Sequence, residues 1–384
     1  MSRPKLSAAL WGCAVFAVAL LSGCGTSPDH RGGPVATSAS VEDPRESARA
    51  KAEAEFGPSA LPGGDFWPGP SAERVAVTDA VWTRGGELVV GYADGLVARV
   101  SPERREVKLL RLKAPVQQLS PTGELALVAT EPPSLLHLTN GEILLNLNQV
   151  QVVEGSAFTP DGALWFVADN ANQIHVWSRE RLMAPRTGED IRDVLRRELP
   201  DYSATFESVK APLLGGGVSQ LMFSDTDGTI YRWDTKEQEI WAIVRLPGVI
   251  QSVSIASAFI AVTSDKGQMR LIEQSANTLL PWTYKATGSW VALLIGDAEP
   301  VVALVDGGEL SLRESATGAQ RWSRPFPSTG CGVFARSVKQ PIALCADGVL
   351  ALIDPTSGAL QSTLQNRGGQ LIWLDPDGAS LIPR

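Results

Sequence analysis

From about residue 73 to the C-terminus, short apolar runs rich in Val, Leu, Ile, Phe and Trp alternate with polar pairs suited to turns. These pairs include Gly85-Gly86, Asp94-Gly95, Thr122-Gly123, Asp161-Gly162, Asp227-Gly228, Asp306-Gly307, Asp347-Gly348 and Asp377-Gly378. Two apolar runs around Asp-Gly predict a hairpin, because both central residues of a type I′ turn need positive φ. The repeating unit is therefore strand, turn, strand, antiparallel throughout. Residues 88–92 and 301–305 carry no charge, which predicts strands covered on both faces; a sheet with one wet face alternates more cleanly.

The period sets the architecture. Taking the turn between the second and third strands of each unit as a marker gives Asp94, Pro132, Asp169, Asp227, Asp265, Asp306 and Asp347, at intervals of 38, 37, 58, 38, 41 and 41 residues. A four-stranded unit of about 40 residues is the blade of a β-propeller. The expected fold class is all-β: a β-propeller of four-stranded antiparallel blades, with one short helical insertion at the long interval. Seven units fill residues 76–365, and residues 370–384 add half a unit with strands at 371–374 and 380–383. On a seven-bladed ring that hairpin is expected to find no sheet to join, leaving unpaired backbone and an exposed Trp373. Eight blades are therefore preferred and seven are the alternative, with residues 64–77 supplying the missing outer strands and clasping the chain ends.

Two motifs carry a family resemblance over about 310 residues. Tyr231-Arg232-Trp233-Asp234 resembles the Trp-Asp ending of a WD40 repeat, and Val176-Trp177-Ser178 is a looser copy. The string ESATGAQRW, residues 314–322, resembles the repeat of quinoprotein-like (PQQ-like) propellers, in which a Thr-Gly turn precedes a tryptophan that docks one blade on the next. The chain has 11 tryptophans, and those after residue 72 are read as packing between blades.

The N-terminal residues differ. Arg3 and Lys5 precede an apolar stretch at 6–21, which is too short for the roughly 20 residues that span a bilayer and reads as an export signal over 1–23. The following Leu21-Ser22-Gly23-Cys24 resembles the lipobox of bacterial lipoproteins, which implies acylation of the Cys24 thiol and a mature chain starting there. Two or three acyl chains, palmitate among them, anchor stably where one is marginal. Gly25 in place of Asp resembles outer-membrane sorting in diderm bacteria. Residues 24–72 are rich in Ser, Gly, Pro, Ala and charge, and read as a flexible tether with one short helix after Asp43-Pro44. Residues 73–384 form the propeller domain.

The whole chain has a formal charge of −8, and loss of the signal moves it to about −10. An acidic exported chain is not drawn to nucleic acid or anionic lipid by its overall field. The three histidines, His30, His137 and His175, lie far apart in sequence, which argues against a histidine metal centre or triad chemistry. No P-loop, GxSxG, CxxC or HExxH string occurs. Isolated acids such as Asp169 and Asp225 match ordinary turns. No cofactor, metal or catalytic residue is expected.

Two local features remain. If residues 331–345 form a hairpin turning at Val338, Cys331 and Cys345 lie opposite each other, and an oxidising compartment favours a disulfide there. Within the long unit, residues 187–199 read as an amphipathic helix. Ile191, Arg192, Leu195 and Arg196 are its candidate partner-binding residues, against the plainer reading that it packs on the blade beneath. The sequence thus points to a lipid-anchored cell-envelope propeller acting as a non-catalytic protein-binding scaffold. A small-ligand or glycan binder, with exposed aromatics on its loops, and a degenerate quinoprotein-like enzyme are the alternatives.

Overall fold

The structure is a computed structural model and describes residues 73–384 apart from 105, 149, 151–152, 185–197, 216–218, 257–258, 274–277, 280–283, 286–289, 295–299, 307, 328–329, 376–377 and 383–384. The expected signal (1–23), the tether (24–72) with Cys24 and its helix, and most of the expected helix at 187–199 lie outside the described residues.

The strands form seven antiparallel sheets in chain order: residues 77–111, 116–146, 153–205, 210–245, 250–285, 290–325 and 330–382, here blades 1 to 7. In each blade the first strand is innermost and every later strand pairs with the one before it. In blade 5 two short segments, Thr278–Leu279 and Tyr284–Lys285, share the outer place by pairing with the same strand. All seven marker turns fall between second and third strands, so the repeat read from the sequence has the observed phase.

Seven apolar clusters fill seven interfaces. One joins blade 7 to blade 1, through Trp82, Leu88, Val90 and Tyr92 against Ala343, Cys345, Leu350 and Leu352. The others join blades 1 and 2, 2 and 3, 3 and 4, 4 and 5, 5 and 6, and 6 and 7. The period of two along a strand explains how one strand serves two interfaces. In Leu88–Tyr92, Leu88, Val90 and Tyr92 face blade 7 while Val89 faces blade 2. In Leu125–Val128, Leu125 and Leu127 face blade 3 while Ala126 and Val128 face blade 1. Both strands are buried throughout, as their lack of charge predicts.

Closure with seven blades corrects the expectation of eight. The terminal hairpin, Gln370–Asp375 and Gly378–Ile382, joins the outer edge of its own blade and makes it six-stranded. Leu360–Arg367 accepts it in register, Leu364 opposite Trp373 and Arg367 opposite Gln370. Leu371 and Trp373 then enter the blade 7 to blade 1 cluster, against Val107 and Leu109 of blade 1, so Trp373 is buried rather than exposed. Residues 64–77 do not supply the outer strands expected of them: 64–72 lie outside the described residues, Val77 begins the inner strand of blade 1, and 74–75 make only a short bridge to blade 7. Val75 N donates to Asn366 O at 2.8 Å, Arg74 bridges Arg367 antiparallel, and Arg74 Nε donates to Gln365 Oε1 at 3.0 Å.

The tryptophans mostly behave as read. Trp82, Trp165, Trp177, Trp233 and Trp373 are buried between blades. Trp322 of blade 6 lies over Gly358 of blade 7 and donates from Nε1 to Pro355 O at 2.9 Å. That is the blade-to-blade docking implied for residues 314–322. Gly358 is positioned for it: φ is +69°, and a Cβ there would sit 2.8 Å from the indole. Trp241 departs from the pattern, lying half-buried on the outer strand of its blade beneath Arg232, whose guanidinium carbon is 5.0 Å from the ring centre.

The seam between blades 7 and 1 buries Trp373, which the terminal hairpin supplies. Trp373→Ala is expected to lower unfolding free energy by about 3–5 kcal/mol, the range for emptying a buried aromatic site. The shift of the urea midpoint at unchanged slope checks it.

Candidate functional site

An antiparallel sheet puts its inner-to-second and third-to-outer connections at one end, so these loops share a rim of the ring. Three consecutive blades repeat one turn there: Thr83-Arg84-Gly85-Gly86, Ser120-Pro121-Thr122-Gly123 and Thr159-Pro160-Asp161-Gly162. The opening hydroxyl accepts a backbone N–H across the turn: Thr83 Oγ1 from Glu87 at 3.2 Å, Ser120 Oγ from Leu125 at 3.0 Å, Thr159 Oγ1 from Leu164 at 3.0 Å. The closing glycines have positive φ, and they also admit the neighbouring blade. A Cβ on Gly123 would meet Thr83 at 2.9 Å and Val89 at 2.8 Å, and one on Gly162 would meet Thr122 at 2.8 Å. Successive turns of blades 1 to 3 therefore nest into an arc, here the collar, along this rim.

The long unit opens on this rim. It runs from the one-turn helix Arg179–Leu182 to the outer strand Tyr202–Thr205 of blade 3, and its two stems are clamped together. Arg181 Nη1 donates to Asp201 Oδ1 at 2.8 Å, and Ser178 N to Asp201 Oδ2 at 2.5 Å. Burial alone pushes the Asp201 carboxyl up, but the Arg181 and Ser178 hydrogen bonds outweigh it and hold it below the usual carboxylate range. Arg179 joins the stem to the collar through Glu124 at 2.5 Å. The candidate binding residues Ile191, Arg192, Leu195 and Arg196 lie outside the described residues; Leu199, at the end of the segment, is 47% exposed.

Inner strands have an unpaired edge, and polar side chains from the neighbouring blade satisfy part of it. Asp79, Gln118 and Ser252 are each the first paired residue after a one-residue bulge. Asp79 Oδ2 accepts from Leu119 N of blade 2 at 2.6 Å. Gln118 Nε2 donates to Ser156 O of blade 3 at 2.8 Å, while the Ser156 hydroxyl donates back to Gln118 Oε1. Ser252 Oγ accepts from Val291 N of blade 6 at 3.3 Å. Asp79 is the ionisable member. Asp79 is half-buried and crowded by protein, and this desolvation outweighs the N–H groups of Leu119 and Ala80, pushing its carboxyl up to about 7.

The sequence argued against a histidine constellation, yet one forms in blade 3. His175 Nε2 lies 3.1 Å from Asp169 Oδ2, and His175 Nδ1 lies 2.8 Å from Ser203 Oγ. Asp169 and His175 are buried, and Ser203 is exposed on the outer strand. The order of groups is that of a nucleophile, base and orienting acid. Its position is that of a strut: Ser203 is opposite His175 in register, and the other Asp169 oxygen closes a turn by accepting from Ala171 and Gln173 N–H groups. The array fixes the strand to which the inserted segment returns. Asp225 likewise closes its turn, accepting from Asp227 N, Thr229 N and the Tyr231 hydroxyl. Sequence spacing could have suggested the pairing, since Asp169 and His175 flank a tight turn on adjacent strands.

Among the described residues no group of three or more His, Cys, Asp or Glu side chains is arranged to hold a metal, and no helix is long and apolar enough to cross a membrane. A cleft of about 570 Å³ lies between blade 1 and the terminal hairpin, lined by Asp94, Leu96, Leu109, Arg111, Gly368 and Gly369. Its polar groups serve the seam: Arg111 pairs with Asp94 at 3.1 Å and donates to Gly369 O at 3.2 Å. The cysteine pair is displaced from the expected register. Cys345 is opposite Gly332, Ala346 is opposite Gly330, and Cys331 is the extra residue of the bulge between them.

No protein-family model matches the chain, and no curated protein sequence matches it. Solved structures do. The computationally designed Ika8 protein superposes with a TM-score of 0.54 at 16% identity, over 80% of this chain and 97% of that one. U3-55K gives 0.54 at 14% identity, over 72% and 93%. The WD40 repeats of RRP9 give 0.54 at 13% identity, over 72% and 91%. At these identities the likeness shows the fold: a seven-bladed propeller resembling WD40 repeat proteins.

Asp79 gives the site a pH signature. Its carboxyl ionises near 4 when unfolded but near 7 when folded, so the folded state holds the extra proton in between. Its contribution is complete below about pH 4 and falls as pH rises towards about 7. Unfolding free energy from urea titrations is expected to drop over that window, by on the order of 2 kcal/mol more in the wild type than in Asp79→Asn.

Proposed function

We propose that the protein is a lipid-anchored cell-envelope propeller that acts as a non-catalytic scaffold, presenting the collar rim and its inserted segment to a protein partner. The observation that carries this reading is the clamped insertion. Arg181, Asp201 and Arg179 fix both stems of a segment that lengthens one blade and ties it to the collar. The described stems give that segment a rigid base at the rim, the arrangement in which loops carry binding on a fixed scaffold. WD40-like propellers typically serve as protein-interaction scaffolds, which supports the same reading.

Glycan recognition predicts exposed aromatic rings on the loops. Among the described residues the large apolar side chains that stand exposed are Ile143, Leu199, Ile240 and Val249, none of them aromatic. The polar constellation in blade 3 is used within its own sheet, which favours scaffold over enzyme.

The anchor rests on the lipobox-like Leu21-Ser22-Gly23-Cys24 at the end of an export signal, with outer-membrane placement following from Gly25 in a diderm envelope. A Cys331–Cys345 disulfide belongs to the same proposal, since export meets an oxidising compartment and the bulge keeps the two residues on adjacent, paired strands. In the chain-entropy picture a loop of this length stabilises by about 3 kcal/mol. Mass spectrometry of protein from native envelopes is expected to find an acylated N-terminal Cys24 peptide and a linked Cys331–Cys345 peptide. An unmodified Cys24, or two alkylatable thiols, overturns the respective part.

Crosslinking in intact envelopes tests the scaffold itself. A discrete partner crosslinked through the rim, lost on deletion of residues 187–199 with the melting temperature unchanged, is the expected result. Crosslinks unaffected by that deletion would remove the inserted segment from the interface.

A further inference from the structure

The collar leaves two arginines at one seam without an acid. Arg84 occupies the second position of the turn that opens at Thr83 in blade 1 and is exposed. Arg336 of blade 7 follows the inner strand Gly330–Phe334 and is half-buried. Its Nη1 donates to Trp82 O at 3.3 Å, so it reaches across the seam to the residue two before Arg84. Among the described residues neither pairs with a carboxylate. Burial, and then the charge of Arg84, hold the Arg336 guanidinium below its ordinary range.

Their neighbours on the rim differ. Arg99 pairs with Glu87 at 3.0 Å, Arg179 with Glu124 at 2.5 Å and Arg181 with Asp201 at 2.8 Å. Glu87, the acid nearest Arg84 in sequence, is thus already committed. This chain has 42 Asp and Glu against 34 Lys and Arg, so a mutually repelling arginine pair left without an acid is against the trend of its composition. The geometry is also prepared for a ligand. Thr83 fixes the turn beneath Arg84, and a Cβ on Gly85 would meet the Thr83 hydroxyl at 3.8 Å. Trp82 O holds Arg336 in place. One guanidinium held at the seam beside an exposed one suits an oxyanion that accepts N–H groups from both.

We propose that Arg84 and Arg336 form a docking site for a carboxylate side chain on an acidic segment of a partner protein. This rests on the scaffold reading above and names the chemistry of its partner. The net charge of −8 gives an acidic segment no long-range attraction, so the contact is made at short range, where a peptide carboxylate meets the local positive seam.

The test titrates the full detergent-solubilised chain with an N-acetylated hexaglutamate peptide by calorimetry. Saturable binding is expected, weakened about tenfold or more in the Arg84→Ala/Arg336→Ala double variant. It is expected to be unchanged in Arg245→Ala, a surface arginine of blade 4 paired with Asp227. Thermal melts establish that each variant is folded. Equal affinity in wild type and double variant overturns the proposal, as does inorganic phosphate competing as well as the peptide at matched ionic strength, which would make this a phosphate site. Partner crosslinking in envelopes separates the two levels. If the double variant crosslinks its partner as wild type does and hexaglutamate binds neither, the arginine assignment falls and the scaffold stands. If hexaglutamate binds as expected but nothing crosslinks to the wild type, the scaffold falls.

Discussion

Each sheet of this ring is apolar on both faces, and everything else in the structure answers to that. A sheet with two apolar faces is not stable alone, because burying one face leaves the other in water. The gap between two blades covers one face of each, and a line of seven blades would still leave two faces bare. Only closure removes the last two. The alternation along Leu88–Tyr92, with Val89 turned to one neighbour and Leu88, Val90 and Tyr92 to the other, shows one strand serving two interfaces at once.

Closure creates a second demand. Bringing the inner strands together around an axis leaves their inner edges without a strand to pair with, and backbone groups there need partners. Asp79, Gln118 and Ser252 supply some of them across the blade boundaries, which ties lateral packing to the channel wall. The outer end of the ring has the opposite arrangement. There a long strand, Leu360–Arg367, keeps a free edge and takes up a hairpin. With apolar surface consumed between blades, what distinguishes one part of the exterior from another is loop length and charge. The collar rim differs in both.

Much of the architecture was legible because its signal is periodic. Turn pairs near every 40 residues specify blade, phase and the site of the insertion, and local turn chemistry does not depend on distant contacts. Blade number was not legible in the same way. The terminal hairpin shows that strands remain to be placed, but sequence does not say which edge receives them; the apolar gap beside Val107 and Leu109 of blade 1 decides that. The cysteine register shows the same limit at smaller scale. Counting outward from Val338 places Cys331 opposite Cys345, yet a bulge adds one residue and Gly332 takes that position. Such bulges recur before Asp79, Gln118 and Ser252 without a common residue type at the inserted position. The blade 3 array escaped notice for a third reason: its serine comes from beyond the insertion, 28 residues from His175.

Six of the seven blade junctions are crossed by the polypeptide itself, since each blade leads directly into the next. The seventh, where Arg74 and Val75 meet Asn366 and Arg367, is sealed by hydrogen bonds and packing alone. It is also where residues 74–75 lead into the inner strand of blade 1. A pull on residues 73–75 falls first on the one junction lacking a covalent link, and failure there opens the ring while leaving the blades in order. By connectivity this seam is the ring's weakest closure, and the burial of Trp373 within it is what reinforces it.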